Sequence, residues 1–387
     1  MEGQAFDDLL IRTRAFVRGE GRACEPETER TGTVSRLVLN ALQGLGTYGW
    51  SIPVEYGGLG LTTEQLALAF LELSQGAVAY RVVGATNAGV GSEALIQDGT
   101  EAQKEAYLPR LASGELLGCL ALTEPEAGSD ATSLKTRGEL QSDGSYILNG
   151  TKCFITMAPL AGLFTVLART GDQERGGKGI SAFLVERDTP GLKLSTPTPM
   201  MGQEGAPIGE VFLENCRIPA SQILGGTPGL GFRSVMKALN KQRINLSALS
   251  TGPAIRMLDE AIAYAQQREQ FGKRIGEFQL IQAMLAECKA DIEAARALIL
   301  QTARKRDLGE DVTMDVSLCK YFSTEMCSRV ADKTLQIFGG AGYVKRFPIE
   351  RFYRDTRVFR IYEGTSQIHL LNIAKLLLSR SFGTAND

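Results

Sequence analysis

Apolar residues recur along this chain with two periods, and the period changes twice. In the first stretch Leu66, Phe70 and Leu73 fall at helical spacing, flanked by Glu64, Gln65 and Glu72, which predicts an amphipathic helix. Gly57, Gly58 and Gly60 mark a turn ahead of it. From about residue 119 the apolar runs become short and β-prone, at 146–148, 153–156, 164–167, 180–185 and 211–213. Asn149-Gly150 lies between two of these runs and predicts a hairpin, because both residues tolerate positive φ. Asp143-Gly144 predicts another turn. From about residue 233 the helical period returns. Ile281, Met284, Leu285, Cys288, Ile292, Ala295 and Ile299 trace one face of a long helix. Met326, Val330, Thr334 and Leu335 trace another, which is expected to end with a C-cap at Gly339-Gly340. The run 368–378 is apolar on most sides and is expected to be buried against other helices or another subunit.

These patterns divide the chain into blocks 1–118, 119–232 and 233–387. The predicted fold is mainly α with a central antiparallel β domain, a sandwich or small barrel. A chain of 387 residues exceeds what one compact core serves, so two or three domains are expected. A helical–β–helical order is unlike the alternating pattern of a parallel nucleotide-binding sheet.

Charge and cysteine usage narrow the setting. A formal net charge of −2 gives no electrostatic reason to expect nucleic acid or an anionic membrane as partner. The seven cysteines are dispersed with no C-x-x-C pair, which predicts reduced thiols in a cytoplasmic setting. Residues 1–20 are charged and carry no signal-peptide core, and no window approaches a membrane span. The single histidine, His369, excludes multi-histidine metal sites, so no metal is expected. Its place in an apolar run predicts a helix residue rather than a catalyst.

Four segments could carry chemistry. In Arg360-Ile361-Tyr362-Glu363-Gly364-Thr365, Glu363 sits beside an aromatic ring and a glycine. It is either a base toward carbon, if its surroundings raise its pKa, or an acid placed by a helix dipole. The loop Leu120 to Asp130 gathers Thr123, Gly128 and Ser129 and can bring N–H groups and hydroxyls to a polar ligand, or simply open the β block. Arg268, Lys273 and Arg274 form a basic turn that either holds a phosphate or is solvated. Gly89-Val90-Gly91-Ser92-Glu93-Ala94 fits a dinucleotide fingerprint but lacks the βαβ unit that gives the fingerprint its function. There is no G-x-x-x-x-G-K phosphate loop.

Taken together the motifs resemble the acyl-CoA dehydrogenase family of flavoproteins over nearly the whole chain. They run in the family's order from Glu55-Tyr56-Gly57-Gly58 through Thr123-Glu124-Pro125 and Asn149-Gly150-Thr151-Lys152. They continue through Met201-Gly202, Arg268 with Phe271-Gly272, Gln336-Ile337-Phe338-Gly339-Gly340 and Ile361-Tyr362-Glu363-Gly364-Thr365. The resemblance implies an N-terminal helical domain, a central β-sandwich or barrel and a C-terminal four-helix bundle. It also implies a homotetramer or dimer with FAD partly across a subunit boundary, an acyl-CoA substrate and an electron-transfer flavoprotein as acceptor.

By motif position, Leu120, Leu122, Thr123, Gly128 and Ser129 would line one side of the flavin, and Phe154, Ile155 and Thr156 the other. Many relatives carry tryptophan at the place of Phe154. Arg268 and Gln279 would serve the pyrophosphate side, Phe271 would also meet the cofactor, Gln336, Ile337, Gly339 and Gly340 would come from a neighbouring subunit, and Thr365 and Gln367 would complete the site. Ser129, Asn240, Arg243, Tyr362 and Gly364 would meet the substrate. Glu363 stands where most of the family keeps its base. Some members place the base on an earlier helix, at the position held here by Gln242, which cannot accept the proton. The implied reaction is α,β-dehydrogenation of an acyl thioester to the trans-2-enoyl product. A carrier-protein thioester, an oxidase or a non-catalytic paralogue are the alternatives.

Overall fold

A computed structural model describes residues 1–382. The last five residues of the expected 233–387 block lie outside the described residues. Seven helices come first: α1 Gly3–Phe16, α2 Arg22–Thr31, α3 Arg36–Gly44, α4 Thr63–Leu73, α5 Val78–Ala85, α6 Glu93–Asp98 and α7 Glu101–Ser113. Local chemistry explains where they start. Thr62 and Gln65 form a capping box on α4, and Thr100 and Gln103 form one on α7. The predicted turn at Gly57, Gly58 and Gly60 precedes α4. A Cβ on Gly58 would lie 2.0 Å from the Ile52 carbonyl oxygen, so the chain crosses itself there as only glycine allows.

The strands follow: β1 Gly118–Ala121, β2 Arg137–Leu140, β3 Tyr146–Thr156, β4 Leu163–Arg169, β5 Ile180–Glu186, β6 Leu192–Leu194 and β7 Ile208–Ile218. They form one sheet in the order β1-β4-β2-β3-β7-β6, with β5 also on β4. Most pairs run antiparallel as expected, but β1 and β2 both run parallel to β4. The turn at Asp143-Gly144 joins β2 to β3, with Gly144 at φ 83°.

The hairpin expected at Asn149-Gly150 does not form. Both residues lie inside β3, at a shift in register against β7. Asn149 holds the neighbouring strand instead, its Oδ1 accepting from the Asn215 N–H at 2.8 Å. Gly150 is needed for proximity, since a Cβ there would sit 2.3 Å from Thr136 Oγ1.

The remaining helices are α8 Gly231–Gln267, α9 Gln279–Asp307, α10 Thr313–Phe338, α11 Ile349–Thr356 and α12 Ser366–Phe382. A small hairpin, β8 Glu269–Gln270 and β9 Lys273–Arg274, joins α8 to α9. The predicted stripe on α9 is buried at Cys288, Ile292, Ala295 and Ile299. Gly339 ends α10 with φ 58°, the expected C-cap. α10 packs against α8, α9 and α12, while α4 packs on α8 and α9. The outer side of α12 does not meet the expectation of burial within this chain, because Leu370, Leu371 and Leu378 are exposed. No helix is long and apolar enough, among the described residues, to cross a membrane.

One hydrophobic core runs from the N-terminal helices into the C-terminal helices, and a second lies inside the sheet. A third joins α6, α7, β4, β5 and the start of α8. The candidate site opens where these layers meet.

Candidate functional site

A cavity of about 450 Å³ lies between α5, the β1 end of the sheet, α8 and the segment before α12. Leu120, Leu122, Thr123, Gly128 and Ser129 reach it from β1 and the following loop. Phe154, Ile155 and Thr156 reach it from the end of β3. Arg243, Tyr362, Glu363 and Gly364 face it from the helical side. The sheet and the helical domain thus bring together most of what the sequence singled out.

Glu363 sits at φ 53°, a left-handed conformation unusual for a side-chain-bearing residue. Strain of this kind costs about 1–3 kcal/mol and persists only when neighbours impose it. Here three donors fix the backbone. Arg243 Nε donates to the Glu363 carbonyl at 3.1 Å. Lys320 Nζ, from α10, donates to the Gly364 carbonyl at 2.6 Å. His369 Nε2 lies 3.2 Å from the Glu363 carbonyl. A carbonyl only accepts, so His369 carries its proton on Nε2. Gly364 itself sits at φ 93°, and a Cβ there would lie 2.9 Å from His369 Nε2.

The donors leave the carboxylate free. Glu363 Oε2 is buried without a hydrogen-bond partner. Burial pushes the Glu363 carboxyl up to about 7, against the opposing charges of Arg243, Lys320 and Arg81. Burial likewise holds Lys320 down to about 8, with Glu363 acting the other way. His369 is held down to about 3 by burial and by the nearby Arg243 and Lys320, so it stays neutral. It is a helix residue, as expected, with the added task of holding the Glu363 backbone.

The loop after β1 is anchored from below. Lys152 on β3 lies 2.7 Å from Glu124 and donates to the Leu122 carbonyl at 3.2 Å, with both charged side chains buried. Burial would raise the Glu124 carboxyl, but Lys152 and the Thr136 hydroxyl hold it below its ordinary value. Lys152 is depressed to about 8 by burial. Phe154, two residues on, takes φ 56° and lines the cavity while remaining 67% exposed.

Other sequence candidates lie elsewhere. Asn240 is off the cavity wall and accepts from Arg243 at 2.9 Å. Thr365 Oγ1 accepts from the Ile368 N–H at 3.3 Å, at the start of α12, and Gln367 is exposed. Arg268, Phe271 and Gln279 are exposed at the far end of α8, with Phe271 at φ 53°. Gln336, Gly339 and Gly340 are exposed at the end of α10, and Ile337 is buried. Tyr264 stacks on Phe338 at 4.2 Å between centroids, so the ends of α8 and α10 share one end of the bundle. This second cluster does not join the cavity within one chain. Gly89 to Ser92 lies in turns after α5, and Glu93 and Ala94 open α6, with no βαβ unit.

The cavity also holds residues that sequence reasoning passed over: Arg81, Thr86, Gln203, Met236, Ile368 and Asn372. Only Arg81 carried a signal, as a lone charge in the apolar stretch Val78–Ala85. No group of three or more acidic, histidine or cysteine side chains suited to a metal occurs among the described residues.

Profiles of the acyl-CoA dehydrogenase N-terminal, middle and C-terminal domains match residues 6–115, 119–216 and 229–378. The chain belongs to the acyl-CoA dehydrogenase family. A probable acyl-CoA dehydrogenase of Bacillus subtilis is 39% identical over 363 residues, covering 94% of this chain and 95% of the relative. A caffeyl-CoA reductase–Etf complex subunit of Acetobacterium woodii is 37% identical, covering 92% and 93%. Butyryl-CoA dehydrogenase from Megasphaera elsdenii superposes with a TM-score of 0.93 at 33% identity, covering 98% and 99%. The protein is thus an acyl-CoA dehydrogenase family oxidoreductase with that family's fold: helical, half-barrel β and helical domains. Members of this family normally bind FAD.

Proposed function

We propose that the protein oxidises an acyl-CoA thioester to its trans-2-enoyl form, with Glu363 as the base that removes the α-proton. The observation that carries this reading is the Glu363 carboxylate, whose Oε2 is buried and unbonded at a largely apolar cavity. A carboxyl titrating near 7 is matched to abstraction at neutral pH. Gln242 lines the same cavity but offers no base.

The wall opposite the helical side suits a flavin. Leu120 and Leu122 offer an apolar wall beside the Thr123 and Ser129 hydroxyls, Gly128 leaves open space where a Cβ would stand, and the exposed Phe154 ring is free to stack. These residues, with Ile155 and Thr156, would hold the ring system. FAD, when bound, supplies the acceptor for the hydride leaving the β-carbon. Arg243, Lys320 and His369 fix the base without bonding its carboxylate, so it meets the substrate unpaired. Tyr362 and the Glu363-Gly364 backbone would orient the thioester, Asn240 would steady Arg243, and Ser129 would meet the CoA arm. The second cluster, from Arg268 to Gly340, would complete the FAD site of a neighbouring subunit in a dimer or tetramer. An electron-transfer flavoprotein is the proposed electron acceptor, which the Etf-complex relative supports.

The deciding experiment is anaerobic titration of the FAD-loaded protein with acyl-CoAs, reading flavin absorbance. Glu363→Gln should retain FAD and lower the reduction rate by about 10²–10⁴-fold or more. Full-rate reduction in that variant would remove Glu363 from the role.

A further inference from the structure

Arg81 is the anomaly of the cavity. Its helix α5 is buried at every residue. A guanidinium keeps its charge inside a protein, and a buried charge is costly unless paired. Buried arginines elsewhere are satisfied in one of two ways: Arg256 and Arg351 lie 3.4 and 2.8 Å from Glu25, and Arg169 spends its guanidinium on the backbone carbonyls of Thr132, Asp172 and Gly176. Arg81 is satisfied in neither way. Among the described residues no carboxylate forms an ion pair with it. It donates through Nη2 to the Tyr362 hydroxyl, and its guanidinium lies 5.3 Å from the centre of the Phe359 ring. Its Nε is buried with no partner. The side chain faces the same cavity as Glu363, and its surroundings there include Val82, Ala85 and Val90. Arg81 thus brings to this cavity a cation with an unused donor, while the other lining cation, Arg243, is bonded to the Glu363 carbonyl and Asn240.

We propose that Arg81 reads the substrate: the acyl group ends in a carboxylate, which supplies the ion-pair partner that the protein withholds. This rests on the reading of the cavity as an acyl-thioester site. It adds a chemical class, a short α,ω-diacid carried as a mono-thioester. A short chain follows from Arg81 facing the same cavity as Glu363, bonding to the adjacent Tyr362 and lying near enough to act on the Glu363 carboxyl. Arginine suits the task because its fork matches a carboxylate in two parallel hydrogen bonds. The pairing would also feed back on the base. Arg81 is one of three cations that lower the Glu363 carboxyl. Neutralising it with a substrate carboxylate makes Glu363 more basic only when the correct acyl group is bound.

The test uses FAD-loaded protein and redox-inert ligands as well as substrates. Calorimetry compares 3-thiaglutaryl-CoA with the uncharged 3-thiahexanoyl-CoA, on the parent and on Arg81→Met. The acid should bind the parent at least about ten-fold more tightly, and that preference should vanish or invert in Arg81→Met. Anaerobic flavin reduction by glutaryl-CoA and hexanoyl-CoA should show the same reversal. Equal or tighter binding of the uncharged ligand by the parent overturns the proposal. So does an equal loss for both ligands in Arg81→Met, which would make Arg81 a positioning residue for Tyr362. Reduction by hexanoyl-CoA but not glutaryl-CoA defeats this inference alone. Failure of every acyl-CoA to reduce the flavin defeats the proposed reaction along with it.

Discussion

Arg243 is bonded to the backbone carbonyl of Glu363, at 3.1 Å from its Nε, while the Glu363 carboxylate keeps a buried oxygen without a partner. The cation therefore fixes the loop and acts on the acid only through space. A direct ion pair would have lowered the Glu363 pKa further and blocked its approach to carbon.

Removing that cation should show in the pH profile. Arg243 is the largest of the influences that lower the Glu363 carboxyl. In Arg243→Met the pH midpoint of flavin reduction should move above about 7, and the maximal rate should fall about 10–100-fold as the loop loses a donor. Stopped-flow reduction across pH 6 to 9 measures both. An unmoved midpoint would contradict the coupling.

The parent enzyme's reduction rate should rise through about pH 7 as Glu363 loses its proton. Stability should change in the opposite sense. The folded carboxyl titrates near 7 against an ordinary value of 4.5, so between those values the native state keeps a proton that the unfolded chain has released. Stability therefore falls as pH rises from about 4.5 to about 7, and the loss persists above. Glu363→Gln should raise Tm relative to the parent at pH 8 and leave it nearly unchanged at pH 4.5. An equal effect at both pH values would point to packing instead.

The buried Lys152–Glu124 pair supports the loop that carries Leu122 and Thr123. Lys152→Met strands a buried carboxylate and should cost about 3–5 kcal/mol. Adding Glu124→Gln should recover much of it. Denaturant unfolding of the single and double variants tests this, and a double variant no more stable than the single one would refute it.

Arg268 is exposed, and its backbone rather than its side chain is bonded to Tyr264 and Ile275. Arg268→Ala should therefore leave the unfolding midpoint unchanged and weaken FAD binding about ten-fold, the cost of one charge-assisted contact. An unchanged flavin dissociation constant would remove Arg268 from the cofactor site.

Much of this was legible in the chain because it depends on neighbours in sequence. Helical stripes such as the Cys288–Ile299 face, the turn at Asp143-Gly144 and the C-cap at Gly339 are written within a few residues. Asn149-Gly150 has the local chemistry of a hairpin, but Thr136 lies close enough to require glycine inside a continuous strand. The approach of a distant residue overrode the local preference.

By itself the sequence determined the order of helical and β blocks, the family and the choice of Glu363 over Gln242 as the candidate base. The block order follows from local period; the family and the candidate base follow from the motifs that resemble the acyl-CoA dehydrogenases. Only the tertiary structure decided that Lys320, Arg243 and His369, from three helices, converge on the two carbonyls around Glu363. It alone brought Arg81 to the same cavity, 281 positions before its partner Tyr362. Burial, and with it the raised carboxyl and the unpaired guanidinium, is a property of what packs around a residue. No stretch of chain specifies its own surroundings.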